Sequence, residues 1–460
     1  MLILTESRPR RWASRLIADL RQRGVPFTSA GEPGNLRSAP SRRLDLRPAR
    51  TRERAALDGI ETWYFVIGDE RAGVPAFGEA LRGDESVEVR LLAQRGADVR
   101  ELRYGRFPYA SRHARTMDRI AEQCSLWIEQ ELRTPLPLSQ LPASAPTQKG
   151  AARISPLEWL GFLAREIRRF RHHALRYLFE QVRWDVGVTK SSIEAFLLKP
   201  NDAWLHWVGR SDREFLADPF LTRSDDGSPK LLCETLDGAL PQIVAIDLDD
   251  RFAERRPLAL GEGPASYPHV CEVDGELWLT PEQHRRSRLD AYRLQGAHAS
   301  PATLLLDGVA VVDPTIVQHD GLWWLFYTDQ RSGPNYALQV CWAEHPRGPW
   351  HPHARNPVKI DIAGARPAGN FFLRDGLLHR PAQDCTERYG GAITIQRIDV
   401  LTPEAFAETC VARIDVSVVR RKGAIGVHTL SHGYGWVALD AQFAHWSLRK
   451  PLQILRGHLA

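Results

Sequence analysis

From Trp184 onward, apolar and polar positions alternate in short runs such as Leu277-Trp278-Leu279 and Trp323-Trp324-Leu325-Phe326. Asp-Gly, Ser-Gly-Pro and His-Gly turns divide the runs, which is the signature of half-buried β-strands. A helical period is expected in this region only near Pro403 to Thr409. Met1 to Arg133 reads differently, with an apolar strand at Leu2 to Thr5, a helix at Arg11 to Arg23 and a second strand at Val25 to Thr28. The polar stretch Gly31 to Arg54, rich in Pro and Arg, is expected to be irregular. Pro135 to Ala152, with four prolines, reads as a linker. Ser155-Pro156 then suits a helix N-cap followed by a first-turn proline. The helix is expected to run to Arg183, with Trp159, Leu160, Leu163, Ile167, Phe170, Leu178 and Val182 forming one apolar stripe.

Between Leu216 and Asp384 one phrase recurs four times: a proline-marked strand start, an Asp-Gly turn, and an apolar strand ending in a carboxylate. The strand starts are Asp218-Pro219, Pro268-His269, Asp313-Pro314 and Arg366-Pro367, and the closing acids are Glu234, Glu282, Asp329 and Asp384. The Asp-Gly turns begin at Asp226, Asp274, Asp320 and Asp375, a spacing that fits propeller blades. A looser fifth unit holds Val427-His428-Thr429-Leu430, a His432-Gly433 turn and a strand from Trp436 to Asp440. The expected fold is mainly β: a five-bladed β-propeller, with six blades as the next possibility, a small N-terminal α/β domain and a connecting amphipathic helix. The expected boundaries are 1–133 for the α/β domain, 134–155 for the linker, 156–183 for the helix and 184–460 for the propeller.

Composition narrows the classes. The chain has 460 residues, which predicts two or three domains, and its 43% hydrophobic and 25% charged content is that of a soluble globular protein. No stretch approaches the roughly 20 apolar residues of a membrane span, and the first eleven residues lack the apolar core of a secretory signal, so the cytoplasm is the expected compartment. The six cysteines show neither Cys-x-x-Cys nor zinc spacing and read as reduced buried thiols. The net charge of +5 comes from arginine, with only seven lysines, and both signs are mixed along the chain. No nucleic-acid partner is expected from that pattern. The arginines of the 157–183 helix leave two readings open, a brace between domains or peripheral contact with an anionic membrane surface.

In a propeller the innermost strands carry residues into a central channel. The strand starts therefore nominate Asp218, His269, Asp313, Arg366 and His428. Two acids flanking a sugar suit glycosidic-bond chemistry, and Asp218 and Asp313 stand before proline at the same phase. Glu234, Glu282, Asp329 and Asp384 are candidates for binding sugar hydroxyls, with strand capping and arginine pairing as the alternative. The acids of the Asp-Gly pairs are read as turn residues. Arg366 and Arg380, in segments that also hold Gln383 and Asp384, suit a carboxylate or phosphate through planar pairing. Most tryptophans at strand positions are expected in the core. No cofactor and no metal is expected.

The ordered motifs Ser266-Tyr267-Pro268-His269-Val270, Gly348-Pro349-Trp350, Arg355-Asn356-Pro357-Val358, Ala365-Arg366-Pro367-Ala368-Gly369, Arg380 to Cys385, Tyr389-Gly390 and Gly426-Val427-His428-Thr429 resemble the N-terminal domain of the glucosamine inositolphosphorylceramide transferases. That domain is similar in turn to the five-bladed propellers of glycoside hydrolase family 43. The resemblance implies Asp218 as general base and Asp313 as the carboxylate that orients and tunes the acid. The acid itself is a glutamate in that family, and Arg366 stands at about its position. An arginine cannot donate the proton at neutral pH, so Glu282 or Glu234 would have to take the role. In the N-terminal segment, Gly68-Asp69-Glu70, Gly73-Val74-Pro75-Ala76-Phe77, Leu81-Arg82-Gly83 and Gly96-Ala97-Asp98 resemble a formyltransferase core. Phe65-Val66-Ile67 replace that family's catalytic Asn-x-His and leave only Asp98, which implies a degenerate domain without formyl transfer.

Together these readings predict a protein that binds a glycan, nucleotide-sugar or glycolipid in the assembly of cell-surface polysaccharide or glycolipid. Three roles stay open: glycosyl-transfer or glycosidase-like chemistry on Asp218, Asp313 and Glu282; a non-catalytic sugar-binding scaffold; or a membrane-docked assembly factor. In each, His269, Glu234, Asp329, Arg366, Arg380, Gln383, Asp384 and His428 are the expected substrate-binding residues.

Overall fold

The computed structural model describes residues 1–6, 10–29, 42–47, 60–71, 74–109, 113–133, 155–202, 204–211, 214–237, 240–249, 252, 254–261, 263–296, 298–448 and 450–451. The chain divides into two compact units, Met1–Arg171 and His172–Ala460.

In the first unit, Leu2–Leu4, Thr28–Ser29, Arg42–Asp45 and Glu61–Ile67 pair in parallel. Ser86–Arg95 and Asp98–Pro108 extend the sheet antiparallel beyond Glu61–Ile67. Arg11–Gln22 buries Trp12, Leu16 and Leu20, and His113–Arg133 buries Ile120, Cys124, Trp127 and Ile128, each on one helical face. Part of the stretch expected to be irregular is thus a strand, Arg42–Asp45, because Leu44 and Asp45 have buried places beside Trp63 and Tyr64 of the next strand. Apart from Leu46 and Arg47, the remainder of that stretch lies outside the described residues, as does nearly all of the linker.

The helix Pro156–Phe179 opens with the expected cap: Glu158 N donates to Ser155 Oγ, and Ser155 N donates to the Glu158 carboxylate. It ends at Phe179 rather than Arg183. From there Val182, Trp184, Val186 and Val188 alternate at period two, and Glu180–Lys190 is a strand paired antiparallel with Trp436–Trp446.

The second unit is a propeller-like array of antiparallel sheets. Four of them have four strands each. The first holds Leu216–Arg223, Pro229–Asp237, Leu240–Asp247 and Arg255–Pro257. The second holds Ser266–Val273, Glu276–Glu282, Arg288–Gln295 and His298–Asp307. Another comprises Phe372–Arg374, Leu377–Asp384, Ala392–Leu401 and Phe406–Ile414, and the last joins Ala424–Gly433 and Trp436–Trp446 to Glu180–Lys190 and His206–Trp207. Between the second sheet and Phe372 lies the meander Val311–His319, Leu322–Asp329 and Ala337–Ala343. The helix expected near Pro403 to Thr409 is instead a turn entering the edge strand Phe406–Ile414. Its residues alternate between half-buried and exposed, and Glu408 points inward to Arg380 and Lys359.

Each sheet packs on the next. Leu232, Ile243, Leu279 and Tyr292 fill the seam between the first two, and Leu289, Trp278, Trp323 and Tyr327 the seam with the meander. Trp324, Phe326 and Val340 meet Phe371 and Phe406, and Ile393 and Ile395 meet Val427 and Leu439. The last sheet returns to the first through Val186, Val188, Leu216, Leu231 and Val244. Trp278, Trp323 and Trp324 are core residues, as expected. Asp274-Gly275, Asp320-Gly321 and Asp375-Gly376 have positive φ at both positions, the two-residue turn that matches strand twist.

Candidate functional site

Three of the four proline-marked strand starts share one backbone device. Asp218, Tyr267 and Asp313 each precede proline and have φ of 49°, 45° and 50°, in the left-handed region that non-glycine residues avoid. At each, the register with the neighbouring strand slips. Proline supplies no N–H to the ladder, and the bulge re-aims the residue before it. In the second sheet the residue at this position is Tyr267, whereas His269 follows two positions later.

Asp218 and Asp313 enter a buried cluster with Glu234, Glu282, Arg366, Gln383, His428 and Asp440. Arg366 grips Asp313 with two parallel hydrogen bonds, Nε to Oδ2 at 2.5 Å and Nη2 to Oδ1 at 3.2 Å. Gln383 Nε2 donates to Asp313 Oδ2 at 3.1 Å, and Asp313 N donates to Glu282 Oε2 at 3.0 Å. Arg366 also donates to Asn335 Oδ1 at 3.0 Å, and its guanidinium lies 4.9 Å from the centre of the Tyr389 ring. Glu282 Oε1 meets His284 Nδ1 at 2.6 Å.

On the other flank, Thr429 Oγ1 donates to Asp218 Oδ1 at 2.7 Å and Asp218 N donates to Asp440 Oδ2 at 2.9 Å. His428 stands between the two acids, with Nδ1 2.6 Å from Asp440 Oδ2 and Nε2 3.5 Å from Asp218 Oδ1. Trp184 stacks on His428 with ring centres 3.9 Å apart, and Tyr389 meets both rings edge-on. Gly390 permits this approach: at φ 63°, a Cβ there would lie 2.7 Å from Trp184 and 2.9 Å from His428 Cβ.

Acids outnumber bases in this centre, and the proton affinities follow. Burial, then the adjacent Asp218, push the Glu234 carboxyl well above the usual range, and the two share a side-chain hydrogen bond. Burial also raises Asp218, with His428 opposing and Asp440 adding to the rise. Burial pushes Asp313 well up, Arg366 pulls it back, and Glu282 and Asp218 add to the rise. Its two parallel bonds to Arg366 are nevertheless the geometry of an ionised pair. Burial alone would raise Glu282, but His284, Arg366 and the Asp313 N–H outweigh it and hold this acid below the ordinary value. Burial works against the charged form of His428, yet Asp440 and Asp218 lift its pKa. Among the described residues, Asp218, His428 and Asp440 offer possible ligand atoms within 4.8 Å of one another. Each imidazole nitrogen faces its own carboxylate, an arrangement suited to a charged imidazole.

The other predicted site residues stand elsewhere. His269 is buried on the second sheet's first strand, where Nε2 accepts from Ile316 N at 3.0 Å; burial lowers its pKa to about 4. It is a neutral link between adjacent sheets. Arg380 is fully engaged by Glu408, at 2.7 and 2.6 Å, and by Gly364 O, so it has no free fork for an anion. Asp329 caps its turn through Arg331 N, and Asp384 accepts from Thr386 N and Arg413. Reasoning from the sequence missed Trp184, Tyr267, Tyr389 and Asp440 as members of the centre. Two had a signal: Tyr267 has the Xaa-Pro phase of Asp218 and Asp313, and Asp440 ends the fifth unit's strand as Glu234 and Glu282 end theirs.

Fold and centre together define a propeller-like β protein with a largely buried acidic site. Residues 211–428, less than half of the chain, match the family profile "Glucosamine inositolphosphorylceramide transferase 1, N-terminal". Glucosamine inositolphosphorylceramide transferase 1 of Arabidopsis thaliana is 36% identical over 209 residues, covering 42% of this chain and 27% of the relative. The protein of the same name from Oryza sativa subsp. japonica is 36% identical over 208 residues, with the same coverage. The chain thus spans about a quarter of the length of these relatives. Among solved structures, the catalytic domain of Coprinopsis cinerea GH62 α-L-arabinofuranosidase aligns at 14% identity and TM-score 0.38, over 58% of this chain and 98% of that one. A thermostable family-43 glycoside hydrolase aligns at 13% identity and TM-score 0.34, over 44% and 76%.

Proposed function

We propose that the second unit is a closed five-bladed propeller whose centre binds the sugar of a glycan, activated sugar or glycolipid, in the assembly of glycolipid or cell-surface glycan. Four observed sheets and the Val311–Ala343 meander supply the five blades. The observation that carries the reading is the acidic centre itself. Glu234, Glu282 and Asp218 are acceptors of the kind that sugar hydroxyls satisfy, and Tyr389, at 41% exposure, is the one ring of the centre that a ligand can reach. The 36% identity to part of proteins named as glycolipid transferases agrees in substrate class.

Arg366 weighs against cleavage by water. It stands at about the position where the family-43 resemblance implies a proton-donating glutamate, and it is paired with Asp313. The specific support for chemistry is the Glu234–Asp218 pair. Burial and the adjacent Asp218 raise the proton affinity of Glu234, which suits it to protonate a leaving oxygen. On this reading the first unit is a degenerate formyltransferase-like domain: Phe65 is buried in a strand where the catalytic pair is missing, and Asp98 lies at the surface 2.8 Å from Arg100.

The test is calorimetric titration of the full chain with free and nucleotide-activated hexoses and hexosamines. Binding is expected to weaken at least tenfold, about 1.4 kcal/mol, in Tyr389→Ala and in Glu282→Gln. In a transfer assay, Glu234→Gln is expected to abolish turnover while binding persists. A chain that binds none of these sugars, or Tyr389→Ala and Glu282→Gln variants that bind as well as the wild type, would refute the assignment.

A further inference from the structure

We infer that the helix segment Pro156–Arg171 docks on the surface of an anionic phospholipid bilayer. The inference is independent of the sugar reading and rests on which side of the helix the protein leaves uncovered. At 100° per residue, Leu157, Trp159, Leu160, Leu163, Ile167 and Phe170 fall within one continuous stripe. These six are 80%, 43%, 63%, 52%, 61% and 75% exposed.

A surface helix normally turns its apolar stripe to the core and its charges to water. Here the order is reversed. The half-buried residues are Glu158, Gly161, Phe162, Arg165 and Glu166, on the other side of the helix. Gly161 and Arg165 help line a cleft of about 540 Å³ together with Arg71 and Arg82. The charged side is partly covered, while Leu160, Leu163, Ile167 and Phe170 are exposed, with Leu157 at the cleft's edge and Trp159 keeping 43% exposure beside Phe77. An exposed apolar patch of this kind marks an interaction surface.

Charge selects the occupant. The whole helix, Pro156–Phe179, carries five arginines against two glutamates. Arg168 is exposed at one margin of the stripe, Arg171 is exposed between the angular positions of Leu160 and Leu157, and Trp159 lies on the opposite margin. Arginines that reach outward from an apolar face, with an aromatic residue at headgroup level, suit a helix lying in an anionic interface. A second copy of the chain would bring the same excess of arginine to the contact. Among the described residues no helix is long and apolar enough to cross a membrane, so the docking is parallel to the surface.

Co-sedimentation of the full chain with vesicles tests this, comparing pure phosphatidylcholine with a mixture holding about a third phosphatidylglycerol. Binding to the anionic vesicles is expected, at least tenfold tighter than to the neutral ones, and weakened severalfold when salt is raised from 0.1 to 0.5 M. Leu163→Glu with Phe170→Glu, and separately Arg168→Glu with Arg171→Glu, are each expected to cost at least tenfold. All four positions are exposed, so circular dichroism is expected to be unchanged. The inference is overturned if the wild type stays in the supernatant, if either pair of substitutions leaves vesicle binding intact, or if the wild type is a dimer in ultracentrifugation that Leu163→Glu/Phe170→Glu converts to monomer.

Discussion

Replacing Arg366 with methionine isolates the electrostatics of the centre. The substitution keeps most of the volume and removes both bonds to Asp313, whose side chain is 3% exposed. Among the described residues, the Gln383 amide is then the remaining donor to the Asp313 carboxylate, with Glu282 and Asp218 nearby. Breaking one side of a buried pair costs about 3–5 kcal/mol. The carboxyl can escape by taking a proton, and this sets a ceiling. From its ordinary value of 3.8, neutralising Asp313 costs about 4 kcal/mol at pH 7 and under about 2 kcal/mol at pH 5, at 1.36 kcal/mol per unit. In the variant the Asp313 pKa is raised above its unfolded value, so the associated stability is lost as pH rises. Asp313 is raised in the wild type too, but Arg366 holds it lower there, so the deficit relative to wild type is expected to grow as pH rises through the wild-type folded value and to stay within the ceiling of about 4 kcal/mol at pH 7. Urea unfolding at both pH values measures it, and Arg366→Met on an Asp313→Asn background is expected to cost no more than about 1 kcal/mol. A deficit that is flat with pH, or an unreduced cost on the Asp313→Asn background, would refute the paired geometry.

Two further outcomes follow from the same region. Burial and Asp218 raise the Glu234 carboxyl, so its contribution to stability is full below the ordinary value of 4.5 and is lost as pH rises through the folded value. Glu234→Gln removes that loss and is expected to gain stability relative to wild type as pH rises above 4.5 in an unfolding series; a parallel pair of curves would contradict the assignment. At Gly369, φ is 126° and a Cβ would sit 1.8 Å from Leu430 O, so Gly369→Ala is expected to cost more than about 4 kcal/mol. At Gly376, φ is 74° with open space, and alanine is expected to cost about 1–2 kcal/mol; equal thermal shifts in the two variants would count against the close packing at Gly369.

What was legible in the sequence had a local physical cause. Asp-Gly pairs announced their turns because few residues other than Gly, Asn and Asp accept positive φ. The Xaa-Pro register announced Asp218 and Asp313, because proline at a bulge is a backbone event. The same register named Tyr267, but the more reactive His269 drew the assignment. Its imidazole is spent on Ile316, on the neighbouring strand, which sequence spacing does not reveal. Arg380 failed for a similar reason: Glu408, which neutralises it, lies 28 residues away and becomes its neighbour only through sheet pairing. The end of the long helix was missed because Val182 satisfies both the helical stripe and the strand alternation that begins at Glu180.

That last boundary bears on the centre itself. The strand Glu180–Lys190 precedes the repeats yet completes the last sheet, pairing with Trp436–Trp446. Trp184, on this strand, stacks on His428, which comes from the other end of the chain, and His428 stands between Asp440 of its own sheet and Asp218 of the first. The acidic centre therefore cannot be assembled by any single sheet. Its aromatic wall comes from the strand before the repeats, its imidazole and one acid from the last sheet, and its remaining acids from the sheets between. Three left-handed residues at its rim, each costing about 1–2 kcal/mol, are retained only while the surrounding sheets hold them. Packing of the last sheet on the first and formation of the site are therefore coupled, and the raised proton affinity of Glu234 beside Asp218 depends on both.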